Sequence, residues 1–157
     1  MKKFFIAVVI VLFVMACVQE NDPEKVVREY YRAMDEEDFE LYMSTVSGAR
    51  ADIASDLLIK FFENYDVSYT IDTIATLTRV GDKAQVICMV TARDEGGPKK
   101  FSDNRITVLN KLRRKNLRWT IYDAELSEPV KLDSLGNPLQ KPAKKDSLLW
   151  KLTLPTG

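Results

Sequence analysis

After Tyr65 the hydrophobic period of this chain changes, and that change limits the folds open to it. Before it, apolar residues recur at three- and four-residue spacing; after it they alternate, which is the difference between a helical stripe and a strand face. The helical part opens on Asp22-Pro23-Glu24, which supplies an N-cap, a proline at the first helical position and an acid in the first turn. Val26, Tyr30 and Met34 form one stripe with Val27 and Tyr31 beside it, and this helix is expected to end near Met34. The acids Asp35, Glu36 and Glu37 cover a turn. Asp38 then caps a short second helix through Phe39, Leu41, Tyr42 and Val46 that stops at Gly48. A third helix is expected from about Arg50 to Asn64, burying Ile53, Leu57, Leu58, Phe61 and Phe62.

The alternating part reads as four strands. Val67, Tyr69, Ile71 and Thr73 share one face, and the phase slips to Ile74 and Leu77, which predicts a bulge between them. "VGDK", residues 80 to 83, is a tight hairpin signal. From Ala84 to Arg93, Val86, Cys88 and Val90 occupy one face and Ile87 and Met89 the other, so both faces are apolar. "EGGPKK" is a loop before a third strand, Phe101 to Leu112, whose face of Ile106, Val108 and Leu112 includes Asn110. "RRKN" turns the chain, and Leu117, Trp119 and Ile121 line a fourth strand ending near Glu125. Three helices followed by a four-stranded antiparallel meander define an α+β chain. From Ser127 the composition shifts to prolines among lysines and aspartates, a linker-like signature. Leu148, Trp150, Leu152 and Leu154 then alternate strictly, which predicts a late strand over 147–154. That strand either returns to cover the face of Ile87 and Met89 or pairs with a partner.

Two segments carry a resemblance. "PEKVVREYYRAMDEEDFELYMSTVS", residues 23 to 47, and "LRWTIYDAEL", residues 117 to 126, resemble the opening helices and the final strand of the nuclear transport factor 2-like (NTF2-like, cystatin-like) superfamily. The resemblance implies a cone: three helices packed in the concavity of a curved four-stranded antiparallel sheet over residues 23–126, with 127–157 as a C-terminal extension. That fold hosts isomerases, dehydratases, transport adaptors and domains without activity, so it does not by itself name a function. Secreted lipoproteins described as lumazine-binding-like are similar in kind.

The chain begins "MKKFFIAVVIVLFVMAC", with two lysines, a 13-residue apolar run from Phe4 to Ala16, and Cys17. A spanning helix needs about 20 apolar residues, so the run reads as a signal peptide over 1–16. "VMAC" resembles the lipobox of bacterial lipoproteins, although Met15 departs from its usual pattern. The resemblance implies that Cys17 carries acyl chains, that residues 17–22 form a lipidated tether, and that the protein is held at the cell envelope outside the cytoplasm. Attachment through several chains is stable where one chain alone is marginal. Val18 after the cysteine is compatible with outer-membrane sorting. Removing 1–16 takes away Lys2 and Lys3 and no acid, so 23 basic residues become 21 against 23 acids. No global field favours nucleic acid or an anionic surface. With Cys17 acylated, Cys88 has no disulfide partner and serves as a small buried hydrophobe.

The absence of histidine from the sequence removes Ser-His-Asp and Cys-His catalysis and most zinc sites. The acids at 35–38 lack calcium-loop spacing, and no phosphate-cradling or dinucleotide motif is present, so neither a metal nor a cofactor is expected. "KLRRKNLR", residues 111 to 118, is the densest basic run; solvation is its simplest use, and contact with anionic lipid or glycan the alternative. Ketosteroid isomerases of the superfamily use a first-helix tyrosine as hydrogen-bond donor, and by the spacing "VVREY" Tyr30 matches it. Such chemistry also needs a carboxylate base. The segment where the base would stand, "GARADIASDLLIKFF", is helical by period and leaves Asp52 and Asp56 facing solvent. The candidates for a pocket between helices and sheet are Tyr30, Tyr31, Phe61, Phe62, Tyr65, Tyr69 and Trp119. Asn110 joins them as a polar group on an apolar face that wants a partner, either a ligand or backbone. The expectation is a non-enzymatic envelope domain that binds a small apolar or aromatic ligand, or an envelope protein or second copy through its sheet face. An isomerase using Tyr30 and a structural module using the late strand are the alternatives.

Overall fold

The computed structural model describes residues 22–139, apart from the side chains of residues 53–55. The expectations for the leader, Cys17, the Ile53 side chain and the 147–154 strand lie outside the described residues. Three helices come first: α1 (Pro23–Asp35), α2 (Phe39–Thr45) and α3 (Ala49–Asn64). Asp22 caps α1 by accepting the Glu24 N–H at 2.9 Å, and Asp38 caps α2 by accepting the Leu41 N–H at 2.9 Å. Each satisfies a donor that a helix start leaves open. Gly48, at φ 64°, makes the sharp entry into α3.

Four long strands follow: β1 (Val67–Val80), β2 (Lys83–Asp94), β3 (Asn104–Lys115) and β4 (Arg118–Leu126), antiparallel in the order β1-β2-β3-β4. A two-residue β5 (Val130–Lys131) pairs with Asn104 and Arg105 of β3, continuing the row that β4 begins. The result is the α+β arrangement of helices against a curved antiparallel sheet. The inner face carries Val86, Cys88, Val90, Val108, Leu112 and Ile121, packed against Val27 and Tyr31 of α1. Val27 and Tyr31 are thus the buried axis of α1, with Val26 and Tyr30 on its flank. A second cluster joins Ala33, Tyr42, Val46 and Leu58 between the helices. On the opposite sheet face Ile87 and Leu109 are buried with Ala75 and Leu77 packed against them.

Four details differ from expectation. Leu57, expected on the buried face of α3, is 63% exposed, because α3 faces an open gap there with no described element packed over it. The bulge in β1 is double, with register shifts between Ile71 and Thr73 and between Thr76 and Thr78. Thr73 therefore pairs with Met89 on the outer face, and does not share the inner face of Ile71. The third strand starts at Asn104, three residues after Phe101. The segment before it is tied elsewhere: Lys99 N–H donates to Asn64 O at 2.8 Å and Asp103 accepts the Asp94 N–H at 2.9 Å. Phe101 meets Phe61 and Tyr65 at the end of α3. Leu117 does not line the fourth strand; it is 77% exposed, in a two-residue hairpin loop with Asn116 at φ 50° and Leu117 at φ 65°. Positive φ at both central residues is the type I′ geometry, chosen because its twist matches that of the flanking strands.

Candidate functional site

A cleft of about 560 Å³ opens between α3 and the free edge of β4. Its apolar wall comes from Leu57, Leu58 and Phe61 of α3 with Met34 of α1 and Tyr42 of α2. Arg50 stands at the start of α3, and Tyr122, Asp123 and Ala124 close the β4 side. The gap exists because α2 is pinned to β4 at one point: the Ser47 N–H donates to Ile121 O at 3.0 Å, and Thr120 Oγ1 donates to Ser47 Oγ at 2.8 Å. Beyond that pin α3 runs past the strand edge. A register shift between Lys111 and Leu112 leaves Tyr122 without a cross-strand partner. The shift turns Ala124 inward beside Asn110 and presents Tyr122 and Asp123 to the cleft.

Arg50 links the cleft to the tyrosines behind it. Its Nη2 donates to the Tyr30 hydroxyl at 3.5 Å, and its guanidinium lies 5.5 Å from the Tyr30 ring centre. Tyr30 meets Tyr31 edge-on at 5.0 Å and Tyr42 at 5.1 Å. Burial raises the Tyr30 phenol well above its ordinary range, and Arg50 opposes this only in part. Asp123 behaves in the opposite way. The Lys111 ammonium, 2.9 Å from its carboxylate, holds its pKa below the usual value, with help from the Ala124 N–H at 2.9 Å. Lys111 bridges onward to Glu125 at 2.8 Å.

Of the sequence candidates, Phe61 lines this cleft and Tyr30 sits behind Arg50 and Tyr42. Tyr31 is in the core against Cys88 and Tyr69, Phe62 packs into the cluster between the helices, and Tyr65 stacks on Phe61 at 5.2 Å. Asn110 is buried and partnered, its Nδ2 donating to Val86 O at 3.4 Å and to Cys88 Sγ at 3.5 Å. Backbone and thiol satisfy it, so it gives no sign of a ligand. Trp119 is buried beneath the Arg79 and Arg114 guanidiniums, 5.7 and 5.5 Å from its ring centre. It borders a second, smaller cavity of about 120 Å³, where Asp22, Lys25 and Glu29 of α1 meet Arg118. Sequence reasoning missed Arg50, Tyr122 and Asp123; the signal available was Arg50 alone, a cation at the start of a helix near the matching tyrosine. Among the described residues no group of three His, Cys, Asp or Glu side chains is placed to hold a metal. Nor is any described helix long and apolar enough to cross a membrane.

Solved structures with this architecture include a dehydratase-class protein of the NTF2-like family from Streptomyces avermitilis, at TM-score 0.55 and 15% identity over 71% of this chain and 96% of that one. A protein of unknown function with a cystatin-like fold from Nostoc punctiforme matches at TM-score 0.53 and 12% identity, covering 66% of this chain and 85% of that one. A hexachlorocyclohexane dehydrochlorinase matches at TM-score 0.53 and 14% identity, covering 83% and 95%. At such identities these likenesses show the NTF2-like, cystatin-like fold. A search of curated proteins returns no sequence match. Residues 25–132, more than half of the sequence, match the family model described as anti-sigma-I factor RsgI9, C-terminal domain, and the chain belongs to that family.

Proposed function

We propose that this protein is a lipid-anchored binding domain of the cell envelope, whose cleft between α3 and β4 takes a small apolar or aromatic ligand. The observation that carries the proposal is the cleft itself: about 560 Å³, walled by Met34, Leu57, Leu58 and Phe61, with Arg50 as the cation at its edge. That combination of volume, apolar wall and few polar groups is typical of small-molecule sites. The anchor rests on the "MKKFFIAVVIVLFVMAC" leader and its lipobox-like end at Cys17. An isomerase would need a carboxylate poised as base opposite Tyr30. Asp123 is the carboxylate on the cleft, and Lys111 keeps it ionised and weakly basic, so binding has the better support. The family's namesake is an anti-sigma-I factor, and a small-molecule-binding domain of such a regulator would serve as its input.

The probe for the cleft is 1-anilinonaphthalene-8-sulfonate, an aromatic anion. Ala49 lines the cleft and is exposed, so Ala49→Trp fills it without disturbing the core. Fluorescence titration should show binding that weakens roughly 10-fold or more in Ala49→Trp at unchanged thermal stability. Binding that survives the substitution places the probe elsewhere and sinks the cleft as the site. The anchor is tested apart from this by palmitate labelling in cells: label lost in Cys17→Ser supports it, and an unlabelled parent chain refutes it.

A further inference from the structure

The two long β-hairpins end side by side. Lys83 of β2 pairs with Arg113 of β3, and the Arg114 N–H donates to Asp82 O at 2.7 Å, so the tip at Gly81-Asp82 adjoins the tip at Asn116-Leu117. Each tip carries one large apolar side chain in the open: Val80 and Leu117 are each 77% exposed. Around them stand the cations Arg79, Lys83, Arg113, Lys115 and Arg118, all exposed, with Asp82 as the acid of the two tips. Charged residues around isolated apolar tips are not what folding requires. Leu117 in particular occupies a position of positive φ that glycine would adopt with less strain. A leucine held there, outward and unpacked, points to a use outside the fold.

The start of α1 lies at this same end. Asp22 and Lys25 share the small cavity with Arg118 and Trp119 at the foot of the second hairpin. Asp22 lies five positions after Cys17, and five residues reach about 18 Å at most when extended. A chain anchored at Cys17 therefore holds these tips close to the lipid surface.

We propose that the paired hairpin tips form a membrane-docking surface for anionic phospholipid headgroups, with Val80 and Leu117 entering the headgroup–acyl boundary and the surrounding lysines and arginines on the phosphates. Apolar side chains ringed by cations are the combination that interfacial binding uses, and each cation near an anionic surface strengthens attachment. In its orientation the surface rests on the anchor reading; its chemistry does not.

The test uses residues 17–157 with Cys17→Ser, which retain every described element and all three buried clusters. Cosedimentation is measured with vesicles of phosphatidylglycerol and phosphatidylcholine in equal parts and with phosphatidylcholine alone, at low and high salt. Partitioning should be roughly 10-fold or more stronger on the anionic vesicles and should fall with salt. Lys115→Gln and Arg118→Gln should each weaken it about 5-fold. Leu117→Gly is the decisive variant, since glycine relieves the turn: the protein should melt no lower than its parent yet bind roughly 10-fold more weakly. Equal binding to both vesicles, no binding to the anionic ones, or variants that bind like the parent would each overturn the proposal. Palmitate labelling of Cys17 reads the anchor separately, so a labelled chain whose unacylated form ignores anionic vesicles refutes the docking surface alone.

Discussion

Cys88 and Asn110 sit where the sheet meets α1, and the buried polar groups around them set how the protein responds to alkali. Asn110 holds the Cys88 sulfur at 3.5 Å and Tyr31 packs against it from the helix side. Burial pushes the Cys88 thiol up from its ordinary 9.0 to about 11, and it raises the Tyr30, Tyr31 and Tyr69 phenols above their ordinary 10.0 as well. All four groups hold their protons more tightly folded than unfolded. Their contribution to stability is therefore complete below pH 9 and is lost as pH rises, for Cys88 through about 11. Each such group removes about 1.4 kcal/mol per pH unit within its own window. Urea midpoints measured at pH 7, 9 and 10 should fall steeply across the last interval. In Cys88→Ala the fall should be shallower between pH 9 and 10, because the thiol's share is gone and the phenols, half ionised at pH 10 in the unfolded chain, supply only the rest; identical slopes would assign the loss to other groups.

At the scale of elements, α1 is fastened to the edge strand β1 by carboxylates at its two ends. Glu24 accepts the Thr76 N–H at 2.8 Å and the Thr76 hydroxyl at 2.9 Å, and Asp35 accepts the Tyr69 N–H at 2.8 Å. Thr76 borders the second bulge of β1, so Glu24 satisfies a backbone donor that an unpaired edge would expose to another chain. Glu24→Ala should cost about 2 kcal/mol in chemical denaturation and speed amide exchange at Thr76. Asp35→Ala, at an exposed site, should cost less. Equal, negligible losses would mean that the bulges hold themselves. Helix starts and strand order were legible in the sequence because they depend on local features: Asp22 and Asp38 as caps, the period change at Tyr65, the glycine of "VGDK". Phe101, Thr73 and Leu117 were misplaced because each depends on a distant partner or on one unit of register, which a period of two does not record. The cleft was illegible for a related reason. It is a gap between α3 and a bulged β4, and no spacing along the chain announces where two elements fail to meet.

For the whole molecule, the sheet has two apolar faces and the three helices occupy one. Ile87 and Leu109 are buried on the other, and the alternation of Leu148, Trp150, Leu152 and Leu154 is suited to cover them. A chain truncated after Leu139 should melt several degrees lower and self-associate in sedimentation velocity. Unchanged melting and a monomeric truncation would show that the tail serves elsewhere. The path of α1 sets one more property. The helix starts beside the hairpin tips and ends at the cleft, with Met34 twelve residues beyond Asp22, or about 18 Å along a helical axis. The polar layer on one side of a bilayer is only about 7 Å deep. If the tips dock as proposed and α1 stands along the bilayer normal, the cleft clears the headgroups; its occupant then arrives dissolved in water, and lipids confined to the leaflet beneath stay out of reach.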